Sequence, residues 1–291
     1  MKKFIATICG LFLLLIGFAQ GIVKEKQVIK STILNKDVTY SIYLPSDYNT
    51  SQRSYPVTYL LHGYGDADDG WIQYGEINRL ADEAISSGKI PPMIIVTPDG
   101  FKSFYINSGD GKMNYEDFFV KELIPHIEKT YKVKSDRKFR GIAGLSMGGY
   151  GSLIMSLKHP DLFVAAAPLS AAVWTDDDIV NLGEGMYNTL FSNSMGTSLK
   201  GKERLTAAWL NNSPFGIIEK KTKEELSTVR YWIDCGDDDF LTIGNAQLHI
   251  ALIKKQVPHE FRMRDGAHNW TYWRTGVIDA LSFIGDSFHQ K

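Results

Sequence analysis

Apolar and polar positions alternate over Val28 to Ile33 and again over Val38 to Leu44, on either side of Asn35-Lys36. This two-residue period predicts an antiparallel hairpin that opens a sheet. The pattern then changes. Val57 to Leu61 and Met93 to Val96 are unbroken apolar runs, each ending in a loop, which predicts strands buried on both faces. Pro45 to Arg53 is loop, and Ile77 to Ser86 has helical spacing. Tyr115 to Tyr131 carries Phe118, Phe119, Leu123, Ile124 and Ile127 at helical intervals. An apolar run at Ile142 to Leu145 leads into a second helical pattern, Tyr150 to Leu157, stopped by His159-Pro160. Phe163 to Leu169, Val229 to Ile233 and Glu260 to Met263 repeat the strand pattern, while Ala246 to Lys255 and Thr275 to Phe288 repeat the helical one. From Trp174 to about Ser227 the periodicity is irregular and helix-leaning, with Gly, Asn and Ser breaks, and predicts a cap inserted over the sheet edge. Strands alternating with helices predict an α/β fold: a mostly parallel sheet with helices on both faces.

The junction at 139–155, FRGIAGLSMGGYGSLIM, brings chemistry into this frame. Strand, Gly-Leu-Ser-Met-Gly and helix follow one another as in a G-x-S-x-G elbow, which lifts a serine, here Ser146, to the top of a sheet. Gly144 and Gly148 keep side chains out of the place where strand and helix pass, and Gly149 extends that relief. A serine hydroxyl needs a base to take its proton, and the base needs a third group to fix its tautomer. In an elbow fold the order is serine, acid, histidine. Of seven histidines, four follow both the serine and the acidic cluster. His249 falls inside a helical pattern, His259 sits beside Pro258 at a strand start and His289 is in the tail. His268, in Asp265-Gly-Ala-His-Asn-Trp270, lies in a loop directly after a strand and is the candidate base. The acid belongs on the loop after the preceding strand, where Asp234-Cys-Gly-Asp-Asp-Asp-Phe-Leu241 leaves Asp237, Asp238 and Asp239 open. An oxyanion hole takes the backbone N–H of the residue after the nucleophile, Met147, and one from the loop Leu60-Leu-His-Gly-Tyr-Gly65, where Tyr64 is the expected donor. His62 precedes the hole and is expected to be a hydrogen-bonded scaffold residue.

Charge and composition narrow the substrate. With 32 basic and 33 acidic side chains there is no net field to attract nucleic acid or an anionic surface, so the expected partner is a neutral ester. Hydrophobic residues at 44% suffice for one core over 20–291, and no linker divides it. Met-Lys-Lys, an apolar stretch from Phe4 to Phe18 and then Ala19 have the layout of a secretory signal over residues 1–19, so the mature chain is expected in the periplasm or outside the cell. The apolar run is short for a spanning helix, so no stable membrane insertion of the mature chain is expected. Cys9 lies within that stretch, which leaves Cys235 alone and the mature chain without an internal disulfide.

Taken together, Leu-Leu-His-Gly-Tyr-Gly, Pro98-Asp-Gly, Gly-Leu-Ser-Met-Gly-Gly, Cys-Gly-Asp-Asp-Asp-Phe-Leu and Gly-Ala-His-Asn-Trp, in order between about Thr32 and Phe288, resemble the secreted branch of the esterase D-like α/β-hydrolases. That group includes feruloyl and acetyl-xylan esterases and mycolyltransferases. The resemblance implies an α/β-hydrolase fold with a small helical cap and a serine esterase without cofactor or metal. It also implies a triad acid at the end of Gly-x-x-Asp, which selects Asp239 after Gly236. Cytosolic S-formylglutathione hydrolases are relatives, but they lack a leader and do not usually show His-Gly after the oxyanion strand. No motif for the cap carries over.

The loops expected at the serine bring Tyr64, Phe104, Tyr105, Phe240, Leu241, Trp270 and Trp273 within reach. Of these, Phe104 and Trp273 are expected in the core, and Tyr105, Phe240, Leu241 and Trp270 at the substrate. Flat apolar walls suit an aryl acyl group or a sugar face. The expected reaction is therefore hydrolysis of feruloyl or acetyl esters on plant polysaccharide. A siderophore trilactone, a short-chain lipid ester, a peptide substrate on the same fold and a catalytically dead carbohydrate-binding protein are the alternatives. Asp66-Ala-Asp-Asp-Gly70 lacks the later ligands and closing glutamate of a calcium loop and is expected to be a polar surface turn. No Cys/His cluster suggests zinc.

Overall fold

Unbroken apolar runs become the centre of the sheet, and alternating ones its edge. A computed structural model describes residues 20–288; the expected signal segment 1–19, with Cys9, and His289 lie outside them. The strands are β1 (Ile22–Ser31), β2 (Lys36–Leu44), β3 (Val57–Leu61), β4 (Ile94–Pro98), β5 (Arg140–Leu145), β6 (Ala165–Leu169), β7 (Arg230–Gly236) and β8 (His259–Arg264). They form one sheet in the order β1-β2-β4-β3-β5-β6-β7-β8. The β1–β2 and β2–β4 pairs are antiparallel, and every pair from β4 through β3 to β8 is parallel. This is the mostly parallel α/β-hydrolase sheet expected. The hairpin turns at Asn35, whose φ of 50° is the left-handed conformation that asparagine tolerates.

All residues of β3, β4, β5 and β6 are buried, so their side chains alternate between two cores. Ile142 of β5 joins Phe118, Phe119, Leu153 and Leu248 on one face. Its neighbours Ala143 and Leu145 join Trp71, Ala81, Trp273 and Ile284 on the other. The helix Met147–Lys158 therefore covers the first face, and the helices Ile77–Ser86 and Trp270–Ser287 cover the second.

Three differences from the sequence reading have local causes. The helical pattern from Tyr115 is not uniform: Tyr115–Phe118 and Ile124–Thr130 flank one π-helical turn at Phe119–Leu123, just before Pro125. The last helix starts at Trp270 rather than Thr275, because the Asn269 side chain caps it by accepting from Tyr272 N–H. Asp66 to Gly70 is not a surface turn: Asp68 is buried and accepts from the Thr39 and Ser41 hydroxyls at 2.8 and 2.6 Å. A short helix, Gly70–Gln73, follows, and its Trp71 is fully buried with the indole N–H on Leu61 O at 2.9 Å. Trp71 thus braces the end of β3, from which the Gly63-Tyr64 loop departs.

Candidate active site

The site is built on the turn after β5. Ser146 has φ 54° and ψ −115°, a conformation that side-chain-bearing residues rarely adopt. Backbone contacts hold it there. Its N–H donates to Leu169 O at 2.9 Å, and its carbonyl accepts from Tyr150 at 2.9 Å and Ala172 at 3.0 Å. The neighbouring glycines are needed for close approach: a Cβ on Gly144 would stand 2.5 Å from Gly148 O, and one on Gly149 2.7 Å from Leu169 O. The helix Met147–Lys158 begins at the serine, so its free N–H groups and positive dipole end face the hydroxyl.

His268 reaches this hydroxyl from the loop after β8, with Nε2 2.9 Å from Ser146 Oγ. Its Nδ1 lies 2.8 Å from Asp239 Oδ2. With Nδ1–H donating to the carboxylate, Nε2 is left to accept the serine proton. Asp239 is buried, and Oδ1 accepts from Leu241 N–H at 2.8 Å. Burial pushes its carboxyl upward, but the hydrogen bonds from His268 and Leu241 and the charge of His268 outweigh it, so it titrates below the ordinary aspartate range. Asp237 and Asp238 are exposed; Asp237 accepts from Gly266 N–H at 3.0 Å.

The Gly63-Tyr64 loop abuts the serine, since a Cβ on Gly63 would stand 3.7 Å from Ser146 Cβ. Among the described residues no acceptor is paired with the N–H of Tyr64 or of Met147. The Tyr64 phenol extends away and donates to Thr189 O at 2.6 Å, tying this loop to the helix Glu184–Leu190. His62 is fully buried and bridges Gly63 O, at 2.8 Å from Nδ1, and Gly100 N–H, which donates to Nε2 at 2.7 Å. It is the scaffold residue expected, neutral with Nδ1 protonated.

A cavity of about 420 Å³ opens between Phe240, Leu241 and Ile243 on one side and Val173, Trp174, Asp177, Asn181 and Leu182 on the other; Phe240, not the triad itself, connects it to the site. Phe240 is 73% exposed, and its ring centroid lies 4.6 Å from that of His268. Phe104 and Trp273 are core residues, as expected. Tyr105 is a correction. Expected at the substrate, it is fully buried, and its phenol exchanges hydrogen bonds with the backbone N–H and carbonyl of His62, both at 3.0 Å. Trp270 is half-buried against Trp71, Tyr74 and Trp273 and does not line the cavity. Asp176 to Asp178 read from the sequence as the start of a helix in the cap, and Thr175 and Asp178 do form a reciprocal capping box there; that Trp174 and Asp177 line the cavity was missed.

The family model described as "Putative esterase" matches residues 31–284. A protein of Xylanibacter ruminicola named endo-1,4-beta-xylanase/feruloyl esterase is 34% identical over 148 residues, 48% of this chain, and the chain spans 20% of that protein's length. An acetyl esterase of Caldicellulosiruptor saccharolyticus is 24% identical over 87% of this chain and 95% of its own. A solved ferulic acid esterase superimposes with a TM-score of 0.78 at 32% identity, covering 92% of this chain and 99% of that one.

Proposed function

The chain belongs to the esterase family and has the α/β-hydrolase fold, and from that premise we propose that it hydrolyses carboxylic esters through Ser146, His268 and Asp239. One observation carries the reading: the unbroken hydrogen-bonded chain from Ser146 Oγ through both ring nitrogens of His268 to a buried carboxylate. In the first half-reaction Oγ attacks the ester carbonyl while Nε2 takes its proton. The carbonyl oxygen becomes an oxyanion held by the N–H groups of Met147 and Tyr64 at the positive end of the helix. Asp239 stabilises the imidazolium, which then protonates the departing alcohol and leaves an acyl group on Ser146. Water repeats the sequence, releasing the acid and restoring the serine.

We propose acyl esters of plant polysaccharide, feruloyl or acetyl, as substrates. The names of the relatives support this, as does a cavity walled by Trp174, Phe240 and Leu241, with Phe240 and Leu241 the substrate contacts. We propose export of the chain as well, on the Lys2-Lys3 pair and the apolar stretch Phe4 to Phe18, with cleavage near Ala19. Among the described residues no helix is long and apolar enough to cross a membrane.

A competition assay tests the substrate. Methyl ferulate and acetylated xylan are expected to exceed tributyrin and a trilactone siderophore in kcat/KM. Preference for either of the latter by more than about tenfold, or 1.4 kcal/mol of transition-state binding, overturns the carbohydrate-ester reading. Fractionation followed by N-terminal sequencing tests export. A chain beginning near Gln20 outside the cytoplasm is expected, and an intact Met1 in the cytosol contradicts it.

A further inference from the structure

We propose that β8 is an interface on which a second copy of this chain pairs, antiparallel and centred on Phe261, so that two sheets join into one. β8 ends the sheet, and among the described residues only β7 pairs with it. One contact shows which of its backbone groups are left free. Arg264 O accepts from Asp237 N–H at 3.1 Å, so Arg264 points its backbone groups at β7. In a parallel pair a residue's N–H and C=O point to the same side, and successive residues alternate. Glu260 and Arg262 therefore also face β7, while His259, Phe261 and Met263 turn theirs outward. The outward Phe261 O is met by the guanidinium of Arg262, at 3.1 Å.

A free edge is a template for another strand, and edges that avoid pairing are blunted by lysines, bulges or proline. The opposite edge of this sheet is blunted in that way. β1 carries Lys24, Lys26 and Lys30, its register shifts between Lys24 and Gln27, and Lys26 has φ 51°. β8 has none of these devices: it follows β7 in unbroken register along its six residues, and Pro258 stops short of it.

Charge selects both the occupant and the register. Outward residues must oppose outward residues for their backbone groups to pair. Centred on Phe261, the ladder sets Phe261 against itself and His259 against Met263 as hydrogen-bonded pairs. Glu260 of each copy then opposes Arg262 of the other, in the positions where side chains come closest. The two already form an ion pair within the strand, so both are charged and exposed at this edge. Moving the centre to Arg262 or to Glu260 sets like charges face to face, which is destabilising. Apolar surface lies at the same junction. His249 of the helix Thr242–Lys254 stacks on Phe261, with centroids 4.5 Å apart and planes at 12°, so this helix leans over β8. Ile253, one turn beyond His249, is exposed, as are Ile250 and Met263. A two-fold axis normal to the sheet keeps both copies of the helix on one side, and these side chains are covered where the copies meet.

The test is sedimentation velocity of the purified full chain, with far-UV circular dichroism as the check on folding. A dimer with a Kd on the order of 10 µM or tighter is expected. Glu260→Arg and Arg262→Glu are each expected to weaken it by about tenfold or more, because each sets two like-charged pairs face to face. An equimolar mixture of the two variants is expected to dimerise as wild type does, since one chain then offers only arginine and the other only glutamate at the opposed positions. Neither variant retains the ion pair within its own strand, so this rescue reads the contact between copies alone. Met263→Pro removes an outward N–H and no bond to β7, and is expected to weaken the dimer to a similar degree. A wild-type chain that stays monomeric up to about 100 µM, variants that dimerise as wild type does, or a mixture that remains monomeric overturns the proposal.

Discussion

Gly148→Ala is expected to separate the elbow from the oxyanion loop. The added Cβ would stand 2.4 Å from Leu61 O, 2.5 Å from Leu61 C and 2.7 Å from His62 O. All three are backbone atoms at the end of β3, so no side chain can rotate out of the way, and the helix and the 61–64 segment must part by close to 1 Å (about the shortfall from van der Waals contact). Overpacking of this kind costs about 1–3 kcal/mol, and in a domain of this size each kcal/mol lowers Tm by about 2–4 °C. The larger effect is kinetic. The shift opens the gap between Ser146 Oγ and the Tyr64 N–H, and a misplacement of about 1 Å costs on the order of 10²-fold. The assay is kcat and KM on a neutral aryl ester beside a thermal melt, with Gly185→Ala as control. Gly185 lies inside the helix Glu184–Leu190, and a Cβ there meets nothing within 4 Å. Alanine is expected to raise stability there by up to about 1 kcal/mol. Wild-type kcat in Gly148→Ala would refute the placement of Tyr64 against the serine.

Asp239→Asn is expected to lower kcat by about 10³-fold or more, and Asp238→Asn to leave it within about twofold, because only the former orients the imidazole; steady-state kinetics decides, and a sensitive Asp238 contradicts the hydrogen bonding described. Phe240→Ala is expected to lower kcat/KM for methyl ferulate relative to a matched acetyl ester by about two- to tenfold, the worth of an aromatic contact of roughly 0.5–1.5 kcal/mol. Equal losses on both esters would mean that the ring shields His268 without contacting the acyl group. Stability is expected to fall in acid. Asp239 and Glu116 both titrate below their ordinary range: burial raises each, but the hydrogen bonds of His268 to the one and of His159 and Lys158 to the other prevail. Their folded pKa values lie below the unfolded ones, so the stabilisation is complete above the unfolded values and is lost as pH falls through the folded ones, from about pH 4 downward. A urea midpoint that holds level from pH 5 to about pH 2 contradicts this, and Glu116→Gln should flatten the fall.

What was legible in the sequence was what is local. Ser146 could be read because strand, turn and helix lie within about fifteen residues and the glycines that permit the turn are adjacent to it. His268 could be read because chain order and loop position eliminate the other histidines. Asp239 could not be separated from Asp237 and Asp238 by spacing, and the structure distinguishes it through burial and a hydrogen bond to His268 that joins residues 29 apart. Tyr105 was misplaced for a physical reason. Phe101, Phe104 and Tyr105 have φ of 50°, 54° and 60°, and these left-handed residues fold the loop so that the phenol turns inward to His62. No residue type in that loop announces such a conformation, since it is maintained by tertiary contacts. On the Trp174 side of the cavity only a helix start was legible, at the Thr175 and Asp178 capping box; which residues face the cavity was not, because the segment between β6 and β7 is made of short helices, each too brief to show a periodic face.

The central claim is that Ser146 is the nucleophile, and covalent capture measures it most directly. A fluorophosphonate reacts only with a serine whose proton a neighbouring base removes, so intact-protein mass followed by peptide mapping reports both activation and address. The account predicts one adduct, on the peptide carrying Ser146, absent in Ser146→Ala and formed at least about 10²-fold more slowly in His268→Ala. An adduct on another residue, or labelling of Ser146 at an unchanged rate without His268, would contradict it.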